Sequence, residues 1–168
     1  MLRVVGTALL FAVASVANAQ SSWDEYKSAR LDTVIAAHRP IVDADRVEIS
    51  DTLQHQFWVV AHYDGLIVDA TYRGETRQIP PWSRRLLDMW LKSLGKERHA
   101  ELFKEEALFE EDGTEYWLPV QRPPLSYMRE ELDPGDEVSL YLTFIGAHAG
   151  RSGPASWMFT VNEYELAR

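Results

Sequence analysis

Two histidines and an aspartate lie close together at His55, His62 and Asp64, a combination that could seat a metal ion or polarise a substrate. In a regular strand, positions 55 and 62 point to opposite faces, whereas His62 and Asp64 share one. Two donors on one face do not complete a site, since a catalytic zinc takes three protein ligands and a structural zinc four. The third would have to come from a distant segment, and the chain has no cysteine to supply it. No metal or other cofactor is therefore expected. His62 and Asp64 stand as candidates for contact with a ligand at a strand end.

The other polar clusters offer less. Asp43, Asp45, Glu48 and Asp51 hold oxygen ligands at short spacing, but a calcium loop that began at Asp43 would need glycine where Glu48 stands. No Gly-x-Ser-x-Gly elbow presents a nucleophile. Ser152 follows His148 closely, but proximity in sequence does not make a triad, because the fold must supply the geometry. Residues 146–156 are rich in small side chains and read as a mobile loop between two strands, from which His148 and Arg151 could meet an anionic group. Among carboxylates, Glu105 and Glu106 are neighbours and point apart, and Glu163 stands near a strand end. None of these forms a recognisable pair for glycoside cleavage.

The aromatic side chains are the stronger candidates for recognition. Trp117 shares a strand face with Glu115 and Pro119, opposite Tyr116, Leu118 and Val120. Tyr141 lies with Ser139 and Thr143, opposite Val138, Leu140 and Phe144. An exposed Trp or Tyr on a sheet is a good anchor for a protein partner or a sugar ring, because it offers a large apolar area and a polar tip. The binding candidates are thus Trp117, Tyr141, His148, Arg151, His62 and Asp64.

The elements that must position these residues follow from periodicity and punctuation. Ser22 followed by Glu25 has the form of a capping box, and Trp23, Tyr26, Arg30, Val34 and Ala37 continue at helical spacing until Pro40 ends the helix. Residues 46–50 alternate as a short strand. Residues 56–63 and 66–72 read as two strands joined through Asp64-Gly65, a dipeptide suited to a type I′ hairpin turn. The first is apolar at both parities, as a strand covered on both faces would be. Pro80-Pro81 opens a helix with Trp82, Leu86, Trp90 and Leu94 in one stripe, closed by Gly95. Residues 96–109 read as a second helix, followed by a turn over residues 110–113. Residues 115–120 form a short strand that Pro119 confines to an edge or to a position whose amide is free, and Arg122-Pro123-Pro124 is an extended connector. Asp133 to Asp136 is a type II turn. Residues 137–145 and 157–164 alternate as strands.

This order gives an α+β protein, with an antiparallel sheet or a small, partly closed β-barrel of OB-like or SH3-like form. It carries an N-terminal helix and a helical pair inserted between strands. The chain of 168 residues is about one domain in length and is 46% hydrophobic. Residues 1–19 read as a signal peptide: Arg3 precedes an apolar run, too short to span a bilayer, that ends in Ala17-Asn18-Ala19. Cleavage there leaves a single domain over residues 20–168, 149 residues with a net charge of −10.

An exported, soluble, periplasmic or secreted protein is expected, without membrane attachment after cleavage. The absence of cysteine removes disulfides and a lipid-modified N-terminal cysteine. Its acidity argues against nucleic acid, which needs a basic surface. It favours a non-enzymatic binding module for a basic protein or a cell-envelope component. The alternatives are a cofactor-free hydrolase acting on envelope material and an assembly factor that uses an open edge strand.

Overall fold

The structure is a computed structural model that describes residues 25–45, 55–60, 64–150 and 153–167. The expected signal peptide, the short strand at 46–50, His62 and Arg151 lie outside these residues. The elements run β1 (Lys27–Ser28), α1 (Leu31–Ala44), β2 (His55–Val59), β3 (Gly65–Gln78) and α2 (Pro81–Ser93), then a 3-10 helix (Glu97–Leu102). They continue with β4 (Phe103–Glu111), β5 (Thr114–Gln121), α3 (Arg122–Glu131), β6 (Glu137–Gly150) and β7 (Ser156–Leu166). The protein is α+β, as expected.

All seven strands belong to one mixed sheet in the order β1-β3-β4-β5-β7-β6-β2, and β3 pairs again with β6. That extra pairing bends five strands, β3-β4-β5-β7-β6, into a ring. The ring is only partly closed, because β5 and β7 meet in parallel at a single pair, Val120 with Val161. Five strands with a helix between the third and fourth fit the OB-like alternative, a partly open Greek-key arrangement.

Alternation fills the inside of the ring. Val68, Ala70 and Tyr72 of β3, Val138, Leu140, Leu142 and Phe144 of β6, and Phe159 and Val161 of β7 all turn inward. Leu31 and Ile35 of α1, and Leu125 and Met128 of α3, complete this core. A second core forms outside, where Leu86, Leu87, Trp90 and Leu91 of α2 pack on Phe103, Ile145 and Met158. The stripe read from the sequence is thus the buried face of α2, and Gly95 follows it in the left-handed region at φ 66°.

Several expectations are corrected. The Asp64-Gly65 hairpin does not form. β2 pairs with the far half of β6, from His55 opposite Gly150 to Val59 opposite Gly146. β3 pairs with the near half, from Gly65 opposite Thr143 to Thr71 opposite Glu137. The two strands therefore lie end to end along one edge of β6. Gly65 lacks the positive φ that such a turn requires. Gly65 serves another purpose, since a Cβ there would meet the Tyr26 ring at 2.6 Å. The two-residue turn with both positive φ values occurs instead at Asp112-Gly113, between β4 and β5. The strand buried on both faces is the second half of β6, while β2 is only half-buried.

The first helix starts at Leu31, beyond the Ser22 to Glu25 box, and contains Pro40. Its N-cap residue, Arg30, makes no side-chain cap. The buried Glu111 carboxylate accepts the Leu31 amide instead, at 3.0 and 3.1 Å. Residues 96–109 are a short 3-10 helix and then β4, because pairing with β3 and β5 outweighs helix propensity. Pro123 and Pro124 lie in the first turn of α3 rather than in a connector, at positions where a missing amide costs little. The Asp133 to Asp136 turn forms as expected, with the Asp136 amide bonded to the Asp133 carbonyl at 3.1 Å and Gly135 at φ 106°.

Gly146 is the tightest point of the sheet. Its φ is 143°, and a Cβ there would lie 1.9 Å from the Trp58 carbonyl oxygen. Gly146→Ala is expected to lower stability by about 2 kcal/mol or more, as strained backbone and overpacking usually do. Urea unfolding should show this loss, and amide exchange should show the protection of residues 55–60 lost first. A variant as stable as the parent would contradict the close approach.

Candidate functional site

The extension of β6 to Gly150 turns the expected mobile loop into strand, and with it the position of His148 changes. His148 is 7% exposed and packs among side chains from two other elements, β2 and α2. Trp82, at the start of α2, stacks on it with ring centroids 4.4 Å apart and planes 12° apart. Phe57 lies 5.4 Å away on β2. His55, exposed at the start of the same strand, approaches edge to edge, with its Nδ1 2.9 Å from the His148 Nε2. One ring donates and the other accepts. The Arg85 guanidinium lies over the Phe57 ring at 5.1 Å. Burial, with the neighbouring His55 as the smaller cause, holds His148 down at about 4. His148 is therefore a neutral base near pH 7. Its Nδ1 is buried without a partner.

Trp117 and Tyr141 are half-buried rather than freely exposed. The Arg77 guanidinium lies over the Trp117 ring at 4.1 Å. The same group donates from Nε to Glu106 at 2.8 Å. Glu106 is 1% exposed, and burial pushes its carboxyl above the usual range, with Arg77 opposing the shift. Glu105 points to the other side of β4 and accepts from Arg129 at 2.7 Å. Tyr141 meets Tyr26 edge-on at 5.5 Å. Its hydroxyl is raised by burial first, then by Glu165 and Glu163. Asp64 is exposed, in the break between β2 and β3. Trp117, Tyr141 and His148 therefore stand at separate places in the fold and do not form one patch.

The structure adds a site that the sequence reading did not single out. A pocket of about 250 Å³ opens between the last turns of α1 and the sheet. Trp58 and Trp157 line it together with Phe144, His38 and Ile41, and Asp45 stands in its wall. Its apolar part is built by strand alternation, which brings Trp157 to Phe144 at 6.2 Å. The His38 ring lies 4.6 Å from Phe144 and is fixed by donating from Nδ1 to the Val34 carbonyl at 2.9 Å. Ile41 is 60% exposed and also lines the pocket. The sequence did hold a signal, since an isoleucine directly after Pro40 falls beyond the expected end of the helix, where no core position was assigned.

Among the described residues, no group of three or more His, Asp or Glu side chains is arranged to hold a metal ion. No helix there is long and apolar enough to cross a membrane. No protein-family model matches the chain, and no curated protein or solved structure is significantly similar to it.

The Arg77–Glu106 pair gives a pH-dependent test. The folded pKa of Glu106 is raised, so its contribution to stability is complete below the usual carboxylate range and declines as pH rises through the folded value. Removing Arg77 deepens that decline by leaving a buried carboxylate unpaired. Arg77→Ala is expected to cost about 2 kcal/mol at neutral pH, less than for a fully buried pair because the guanidinium is partly exposed. The cost should shrink at acidic pH, and Glu106→Leu in the same chain should recover much of it. Thermal unfolding across pH checks this, and a pH-independent loss would contradict it.

Proposed function

We propose that this is an exported, periplasmic or secreted binding module that holds a basic protein segment by an apolar side chain. The observation that carries this reading is the pocket between α1 and the sheet, with two tryptophans in its lining and an exposed isoleucine beside it. At about 250 Å³ it is somewhat smaller than the usual range of small-molecule sites, which begins at roughly 300 Å³, and it suits one large side chain. Asp45 in its wall and exposed Asp43 nearby favour a lysine or arginine next to that anchor. The overall charge of −9 favours the same partner and would speed its approach. The segment over residues 1–19 supports export, because its charge, apolar run and small-x-small end are those of a cleaved leader.

The hydrolase alternative has less support. Among the described residues, His148 Nε2 meets only His55, and no carboxylate or hydroxyl is bonded to either of its ring nitrogens. The edge-strand alternative draws on the single bridge between β5 and β7, which leaves the start of β5 paired only to β4. Pro119 and the charged Glu115 limit that edge as a template.

The test uses two synthetic peptides, one with a phenylalanine flanked by lysines and one with glutamates in place of the lysines. The basic peptide should shift the indole signals of Trp58 and Trp157 in NMR titrations, and its affinity should fall with added salt. Ile41→Asp should weaken binding by roughly tenfold, the equivalent of 1.4 kcal/mol. Equal binding of the acidic peptide, or shifts that avoid both indoles, would overturn the reading.

A further inference from the structure

β7 has a strand on both edges only at Val161. β6 stays beside it as far as Leu166, but β5 meets it at the single pair Val120 with Val161 and then gives way to α3. Beyond that pair, no strand among the described residues takes the outer edge of residues 162–166. The Ala167 amide donates to the Glu137 carbonyl at 2.9 Å, so Ala167 turns its backbone groups toward β6. By antiparallel alternation Glu163 and Glu165 do the same, while Tyr164 and Leu166 turn their N–H and C=O groups outward. The Tyr164 amide shows the consequence, since it donates at 3.2 Å to the carboxylate of its own neighbour, Glu163.

A groove of about 740 Å³ runs between this edge and α3. Glu163, Tyr164, Glu165 and Leu166 line one side, and Tyr127 and Glu131, one helical turn apart, line the other. Successive strand side chains point to opposite faces, so a groove that touches four in a row lies across the edge itself. The two faces differ in chemistry. Tyr164 and Leu166 pair with Leu140 and Val138 on the inner face of the sheet, whereas Glu163 and Glu165 pair with Tyr141 and Ser139 on the outer face. Tyr127 and Leu166 are two of the four large hydrophobic side chains that stand exposed among the described residues. Among the same residues, no lysine or arginine forms an ion pair with Glu131, Glu163 or Glu165.

We propose that the end of β7 accepts an extended segment of a partner protein as an added strand, one in which basic and apolar residues alternate. Main-chain hydrogen bonds to Tyr164 and Leu166 supply affinity, and alternate side chains supply specificity. The apolar side chains of the segment lie beside Leu166 and Tyr127, and its lysines or arginines lie beside Glu163 and Glu165. The Glu163 carboxylate yields the Tyr164 amide to an incoming carbonyl and takes a basic side chain in exchange, a charge-assisted contact. The same carboxylates exclude a second copy of this chain, because two acidic edges repel one another. This edge shares no lining residue with the pocket between α1 and the sheet, so it neither rests on the reading above nor falls with it.

NMR titration of the isotope-labelled full chain with the peptide Lys-Val-Lys-Val-Lys-Val tests the proposal. The amide signals of Tyr164 and Leu166 should shift and their exchange with solvent should slow, while the indoles of Trp58 and Trp157 stay still. Leu166→Pro removes an outward amide and leaves the bonds to β6 in place, as an edge strand tolerates. It should weaken binding by roughly tenfold, the upper end for a main-chain hydrogen bond. Glu165→Lys, an exposed change that keeps the backbone intact, should weaken it by about threefold through charge alone. Circular dichroism of both variants should match the parent. Binding unchanged by Leu166→Pro, or equally tight binding of Lys-Lys-Lys-Val-Val-Val, would overturn the added strand. Equal binding of Glu-Val-Glu-Val-Glu-Val would overturn the basic partner. Shifts confined to the two indoles would overturn the edge and leave the pocket standing.

Discussion

Fourteen residues of β6 hold the molecule together, because three other strands hydrogen-bond to them. One edge carries β3 along its first half and β2 along its second, while the other edge carries β7. This arrangement works only if the backbone of β2 can come close to β6 where the two partners on that edge change over. Gly146 permits that approach, since any side chain would occupy the position of the Trp58 carbonyl. The pocket and the histidine pair both depend on it. The pocket takes Trp58 from β2 and Phe144 from β6, and the histidine pair takes one ring from each strand. The outer core of α2 also rests on Ile145 and Met158 at the same level.

What was legible in the sequence was local. Alternation in residues 137–145 identified the inward side chains of β6 correctly, and the stripe from Trp82 to Trp90 identified the buried face of α2. Asp133 to Asp136 announced its own turn, since proline and glycine fix φ without help from elsewhere. The errors arose wherever a distant partner decided the outcome. Asp64-Gly65 and Asp112-Gly113 are the same dipeptide, yet only the second closes a hairpin. At the first, β6 offers an edge long enough for β2 and β3 in succession, and the chain continues forward. Residues 103–109 carry helix-favouring glutamates, alanine and leucine, but lie between two strands that bind them as β4. Pro123 and Pro124 look like stiff coil, whereas a first helical turn accepts them equally well.

The sites show the same division. The aromatic and imidazole candidates were noted from residue type and strand face alone. Their surroundings could not be read from spacing. His148 was placed in a loop because glycine and alanine surround it, but those small residues are what lets β2 and α2 close over the strand. Trp58 and Trp157 fall in segments read as packed strands, and the helix that leaves them a shared opening contains a proline read as its end. The neutral His148 beneath Trp82 and the carboxylate of Glu106 beneath Arg77 are products of burial, which appears only once the sheet has formed.

The cap of α1 has a consequence for how the protein assembles. The Leu31 amide finds its acceptor in Glu111, eighty residues further along the chain. No cap from Arg30 is available to the helix on its own. The helix is therefore a product of the strand ring rather than a seed for it, since the long loop between these residues must close before the cap can form. Its formation completes the core inside the ring through Leu31 and Ile35, and it supplies one wall of the pocket. Because α1 supplies His38, Ile41 and Asp45 to the pocket, a ligand held there adds its binding free energy to the docking of the helix on the ring.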